Sequence, residues 1–114
     1  LITPKSSKDR IKEITDLASG FVYYVSVNAI TGTKTPVLEQ IKAKVVEIRD
    51  ISAIKLAVGF GIKGREQAEA LAEFSDLVVI GSGYIELIAE GGSQEEILAR
   101  ISKFNQEILA AKNL

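Results

Sequence analysis

Residues 55–83 read KLAVGFGIKGREQAEALAEFSDLVVIGSG, and they carry two strand signals, each closed by a glycine turn. Lys55 to Val58 is a short, mostly aliphatic run that ends in Gly59-Phe60-Gly61-Ile62. Leu77 to Ile80 is a second run, ending in Gly81-Ser82-Gly83. Between them Ala68, Leu71 and Ala72 recur at helical spacing, which predicts a helix over about Arg65 to Phe74. Strand, helix and strand with no hairpin signal make a βαβ unit, whose strands run parallel and join through a right-handed crossover.

The same alternation extends outward in both directions. Upstream, Leu1 to Thr3 reads as the end of a buried strand stopped by Pro4. Ser6 or Ser7 caps a helix with Ile11, Ile14, Leu17 and Ala18 on one face and Asp9 in its first turn. Gly20 is placed to end that helix in the left-handed conformation. Phe21 to Val25 follows as a strand with apolar side chains on both faces, the pattern of a parallel strand covered on each side. A polar loop of roughly ten residues, Ser26 to Thr35, exceeds the usual connection length. Thr35 and Pro36 then offer an N-cap and an N1 proline for a helix whose apolar side is Val37, Leu38, Ile41, Val45 and Ile48. Downstream, a short helix over about Tyr84 to Ala89 stops at Gly91-Gly92. Ser93 with Glu96 forms a capping box for a last helix with Ile97, Leu98, Ile101, Phe104, Ile108 and Leu109 as its stripe.

Four successive βα units predict an α/β fold with a parallel sheet. An open doubly wound sheet carries its glycine-rich turn after the first strand, whereas here the glycines follow the last two. Late placement belongs to a (β/α)8 TIM barrel, in which a phosphate is held by the loops after strands seven and eight and by a short extra helix. Residues 1–114 accordingly read as the C-terminal half of such a barrel, approximately strands 5–8. Backbone N–H groups can approach an anion where no side chain intervenes, and the extra helix adds donors and partial positive charge. The Gly59-Phe60-Gly61 and Gly81-Ser82-Gly83 turns are therefore a candidate phosphate site, to which Ser82 adds a hydroxyl.

Composition narrows the remaining possibilities. Apolar residues at 46% and charged residues at 25% fit a folded globular domain. A net charge of −1, with Lys and Arg interspersed among Asp and Glu, argues against nucleic acid as a partner. The apolar runs are too short to span a bilayer, which predicts no membrane partner and a cytoplasmic protein. With no Cys and no His, the chain holds no thiolate or imidazole for a metal or for a nucleophile–base pair. A start at Leu1, inside an apolar run, is what a fragment would show.

At these residues the chain resembles the tryptophan synthase α chain family over essentially its whole length. The resemblance rests on Gly20-Phe21-Val22-Tyr23-Tyr24-Val25-Ser26, on Thr31-Gly32, on Val58-Gly59-Phe60-Gly61-Ile62 and on Ile80-Gly81-Ser82, in this order and spacing. It implies a lyase of tryptophan biosynthesis that cleaves indole-3-glycerol phosphate, by a retro-aldol reaction, to indole and glyceraldehyde 3-phosphate. No cofactor is implied in this chain, since pyridoxal phosphate belongs to the partner β chain of the α2β2 complex. By resemblance, Gly32, Gly61, Gly81 and Ser82 meet the substrate phosphate, and Phe60 lies against the indole. Thr31 belongs to a mobile loop, and Tyr23 faces the barrel interior near the glycerol part.

The family's acid and base carboxylates lie on early strands, so no catalytic residue is expected in this chain, which alone should be inactive without its N-terminal half-barrel. Val27 and Ala29 stand where the family more often has Arg and Gly. Lys63-Gly64 stands for a Ser/Thr-Pro helix start, and Gly83 for a common Ala. Two other functions fit the same glycine turns: a non-catalytic phosphate-binding half-barrel module, and another barrel enzyme such as indole-glycerol-phosphate synthase. Lys55, a conceivable Schiff-base lysine, sits near the N-terminal end of its strand, away from barrel chemistry. Asp76 reads as a structural cap or a surface charge at a strand entry, Tyr84 as a packing residue rather than part of the phosphate pocket lining, and Glu86, Glu90, Glu95 and Glu96 as solvated helix faces.

Overall fold

A computed structural model of the chain describes residues 1–26, 34–59 and 61–111; the side chains of 34–37 are not among them. The elements alternate as α1 (Lys8–Leu17), β1 (Phe21–Val25), α2 (Lys34–Ile51), β2 (Lys55–Gly59), α3 (Arg65–Ala72), β3 (Leu77–Val79), α4 (Ser82–Ala89) and α5 (Gln94–Leu109). Among the described residues the strands form one parallel sheet in the order β1-β2-β3. Ile2 extends it on the far side of β1: its N–H donates to the Tyr23 carbonyl and its own carbonyl accepts from Val25 N–H, both at 2.9 Å. Spatial order thus follows chain order from Ile2 to β3, with none of the order reversals of a doubly wound sheet.

The helices arise where the sequence supplies a stripe and a cap. Ser7 is the N-cap of α1, accepting from Arg10 N–H, and Ile11 is fully buried. The opposite edge of that stripe is a correction: Leu17 is 89% exposed and Thr15 is buried in its place, its hydroxyl bonded back to the Lys12 carbonyl. Gly20 has φ of +79°, yet α1 ends earlier, at an extended Ala18, so the left-handed residue turns the chain into β1 rather than capping the helix. Similarly α2 starts at Lys34, ahead of Thr35 and Pro36. A proline within the first turn costs no hydrogen bond, because those N–H groups have no intrahelical partner. Ile41, Val45 and Ile48 of α2 fill the core with Ala68 and Leu71 of α3 and Phe104 and Ile108 of α5. In α5, Ser93 caps Glu96 N–H at 3.2 Å, but Leu98 and Leu109 are exposed.

Register explains which strand face is covered. Phe21 pairs with Lys55, Tyr23 with Ala57 and then Leu77, and Val25 with Gly59 and then Val79, so these share one face. Val22, Tyr24, Leu56, Val58 and Val78 share the other, which packs on the helices; the first four of these are at most 3% exposed. On the first face Phe21, Leu77 and Val79 are 53%, 44% and 39% exposed. The expectation that β1 is covered on both sides therefore holds on the helix side alone. In a barrel the inner face is covered by strands from across the barrel. The radius of gyration, 15.6 Å, exceeds the roughly 13 Å of a compact domain of this length, as an open wedge requires.

Open sheet edges and an uncovered apolar face lead to self-association. In sedimentation the isolated 114-residue chain is expected to give species heavier than 12.3 kDa that grow with concentration. A single 12.3 kDa species at all concentrations would contradict this.

Candidate functional site

Because the sheet is parallel, the C-terminal ends of β1, β2 and β3 and the segments that leave them lie along one rim. Ser26 leaves β1 buried, with its hydroxyl donating to the Gly59 carbonyl at 3.3 Å. From β2 the chain passes to Gly61, exposed and at φ of +39°, and then to Ile62, which is fully buried and anchors the turn. From β3 it passes to Gly81, the N-cap of α4, which supplies no side-chain cap. The extra helix begins two residues earlier than its apolar pattern suggested, so that Ser82 is its first residue. Ile85 N–H bonds the Gly81 carbonyl at 3.1 Å, and the N–H groups of Ser82, Gly83 and Tyr84 precede the first intrahelical bond.

Two contacts hold the Gly61 and Gly81 turns together. Gly83 is buried so closely that a methyl there would lie 2.9 Å from Phe104 Cζ and 3.1 Å from the Ile62 carbonyl oxygen. A side chain here would crowd Phe104 and the Ile62 carbonyl, which would have to shift to admit it, so glycine permits this close approach of the two segments. Lys63 Nζ and Glu86 Oε1 are 2.6 Å apart, joining the same two segments from outside. At Gly61 and Gly81 themselves a methyl would meet nothing within 4 Å among the described residues. Gly64 caps α3 without a side chain, and the Gln67 carboxamide oxygen accepts from Lys63 N–H at 2.8 Å instead.

Tyr23, on the inner face, is half-buried, and its phenol lies directly over Gly59; any side chain there would collide with the hydroxyl. Tyr23, Gly61, Gly81 and Ser82 are therefore on the inner face or the C-terminal rim. Thr31, Gly32 and Phe60, like Val27 and Ala29, lie outside the described residues. Ser26 was not singled out as a site residue; its burial beside Gly59 could be read only once β1 and β2 were in register. Glu86, set aside as a solvated face, turns out to be ion-paired, as does Glu90 with Arg100 at 3.2 Å. Tyr84 packs edge-on against Phe104 at 5.0 Å and donates to Asn105, in keeping with a packing role. Among the described residues there is no group of three acidic, His or Cys side chains able to hold a metal, and no helix long and apolar enough to cross a membrane.

The opposite rim is structural. Asp76 Oδ2 accepts from Leu56 N–H at 2.8 Å and from the Arg49 guanidinium at 3.0 Å. The Leu56 N–H, helped by Arg49 and Lys55 against partial desolvation, holds the Asp76 carboxyl below the usual carboxylate range. A carboxyl depressed on folding adds stability above its unfolded pKa of about 4, and that contribution is lost as pH falls through the folded value. Asp76→Ala is expected to cost about 1 kcal/mol at pH 7, at the low end for a charged hydrogen bond because the group is partly exposed. Urea titrations at pH 7 and pH 3 check this, and the gap between variant and parent should shrink at pH 3. Lys55 is exposed at this rim, remote from the glycine turns.

A family model described as tryptophan synthase alpha chain matches residues 1–113. The tryptophan synthase alpha chain of Burkholderia multivorans is 40% identical over 111 residues, covering 97% of this chain and 41% of that protein. That of Marinobacter nauticus is 36% identical over 98 residues, 86% of this chain and 36% of the relative. Among solved structures, an open form of tryptophan synthase from M. tuberculosis superposes with a TM-score of 0.79 at 26% identity, over 99% of this chain and 39% of that one. A mutant tryptophan synthase alpha-subunit from Pyrococcus furiosus gives 0.76 at 31% identity, over 94% and 42%. The chain spans about two fifths of the length of the curated relatives it matches. Its parallel βα units are those of the C-terminal half of a (β/α)8 barrel. From β1 to α5, fold and sequence agree: the chain belongs to the tryptophan synthase alpha chain family.

Proposed function

We propose that residues 1–114 form the phosphate-binding, C-terminal half of a tryptophan synthase α barrel, a cytoplasmic lyase that cleaves indole-3-glycerol phosphate to indole and glyceraldehyde 3-phosphate. The observation that carries this is the joining of the Gly61 and Gly81 turns on one rim, at the N-terminus of α4, by the close approach of Gly83 to the Ile62 carbonyl and by the Lys63–Glu86 pair. An ester phosphate there would accept from backbone N–H groups near Gly61, Gly81 and Ser82, in the field of the helix N-terminus. Gly32 and Thr31 would close the site from the preceding loop, and Phe60 would flank the indole.

Tyr23, held over Gly59, stands on the wall the glycerol portion would follow inward. The acid and base of the retro-aldol step come from the N-terminal half-barrel, whose strands would cover Phe21, Leu77 and Val79 and satisfy both sheet edges. Without them the chain binds and orients but does not turn over, because proton transfer needs groups within hydrogen-bond reach of the reacting atoms. Indole passes to a β chain of the α2β2 complex. The test is indole release from indole-3-glycerol phosphate by the complete barrel containing residues 1–114, with glycerol 3-phosphate as inhibitor. Activity inhibited by glycerol 3-phosphate is expected. Saturable binding of glycerol 3-phosphate without indole release would instead mark a non-catalytic phosphate-binding module.

A further inference from the structure

Lys63 stands two residues after Gly61, and its ammonium is bound to Glu86 on the second turn of α4. Four residues separate Ser82 from Glu86, a rise of about 6 Å along the helix. Along the axis Glu86 thus lies roughly one helical turn from the N–H groups before the first intrahelical bond, and the ammonium is held at that N-terminal half of α4. Both partners are exposed, Lys63 at 62% and Glu86 at 55%, so the pair adds little to stability and is free to rearrange. Other nearby cations are committed elsewhere: Arg65 to Glu69 on its own helix, and Arg100 to Glu90 and the carbonyls of Leu87 and Gly91.

We propose that Lys63 and Glu86 form an exchange pair that sets the affinity of the site for phosphate monoesters, the Lys63 ammonium leaving Glu86 for the ester phosphate when it arrives. This rests on the phosphate-site reading above and deepens it. A dianion attracts the ammonium about twice as strongly as one carboxylate at equal distance. In the empty site Glu86 competes for Lys63 and repels an incoming anion, so the two residues act in opposite directions on binding. Lys63 is accordingly a positioning and affinity residue, distinct from the backbone donors that make the cradle.

The test is calorimetric binding of glycerol 3-phosphate to the complete barrel and to its Lys63→Gln, Glu86→Gln and double variants, at about 20 mM and about 500 mM salt. At low salt Lys63→Gln should weaken binding roughly three- to tenfold and Glu86→Gln should tighten it by a similar factor, with the double variant between them. At high salt, where the Debye length falls to a few ångströms, all four should converge to within about twofold. If the bridge only fastens the two turns, both single variants weaken binding and salt does not bring them together; that result, or no change in either, overturns the exchange. If the parent barrel shows no saturable binding of glycerol 3-phosphate, the phosphate site itself is wrong and the exchange falls with it. Thermal unfolding of each variant in the absence of ligand should stay close to the parent, as expected for exposed charges.

Discussion

Replacing Gly83 with leucine is expected to weaken glycerol 3-phosphate binding by the complete barrel roughly a hundredfold. The new side chain would start 2.9 Å from Phe104 and 3.1 Å from the Ile62 carbonyl, and fitting a leucine there is expected to push α4 away from the Gly61 turn. Losing two charge-assisted hydrogen bonds at about 1.5 kcal/mol each gives that factor. Overpacking adds about 1–3 kcal/mol of destabilisation, offset in part by about 1 kcal/mol of helix propensity regained over glycine. Calorimetry and urea unfolding read the two effects separately. Binding within threefold of the parent would mean that the turns need not be coupled.

Truncating Ile62 should have the largest cost in stability. It is fully buried between the two turns and belongs to the core cluster that includes Ala68, Leu71 and Phe104. Ile62→Ala removes apolar contact and leaves a cavity whose lining is tied to α3 and α5, so a loss of about 3 kcal/mol is expected. The unfolding midpoint of the complete barrel reports it directly. Because Ile62 carries the backbone into Lys63, phosphate affinity should fall as well, which separates it from a core truncation such as Leu56→Ala beneath β2. A change below about 1 kcal/mol would show that the turn does not depend on this anchor.

The βα alternation was legible in the sequence because parallel strands are short and continuous while the helices carry spaced stripes. The runs from Lys55 and Leu77 and the Ser7 and Ser93 caps fell where the residues placed them. The family was legible from the ordered glycine turns and the Tyr23 strand. Exposure was not. Leu17, Leu98 and Leu109 sit on apolar stripes, yet what covers a stripe depends on the neighbouring helices, and that information is non-local. The uncovered inner face at Phe21, Leu77 and Val79 is of the same kind: alternation names two faces without saying which has a layer against it. Nor could the crowding at position 83 be read, because it depends on where Phe104, 21 residues later, comes to rest. The Lys63–Glu86 bridge likewise joins segments whose nearness only the sheet order reveals.

The strictly sequential order of the sheet bears on how quickly it assembles. Ala57 pairs with Leu77, 20 residues on, while Phe21 waits for Lys55, 34 residues away. Closing the longer loop costs about 0.5 kcal/mol more chain entropy, before any pairing rewards it. The β2–α3–β3 unit is therefore the natural nucleus, with β1 and then Ile2 zipping on afterwards, and the long pairings make for slow, millisecond-scale growth.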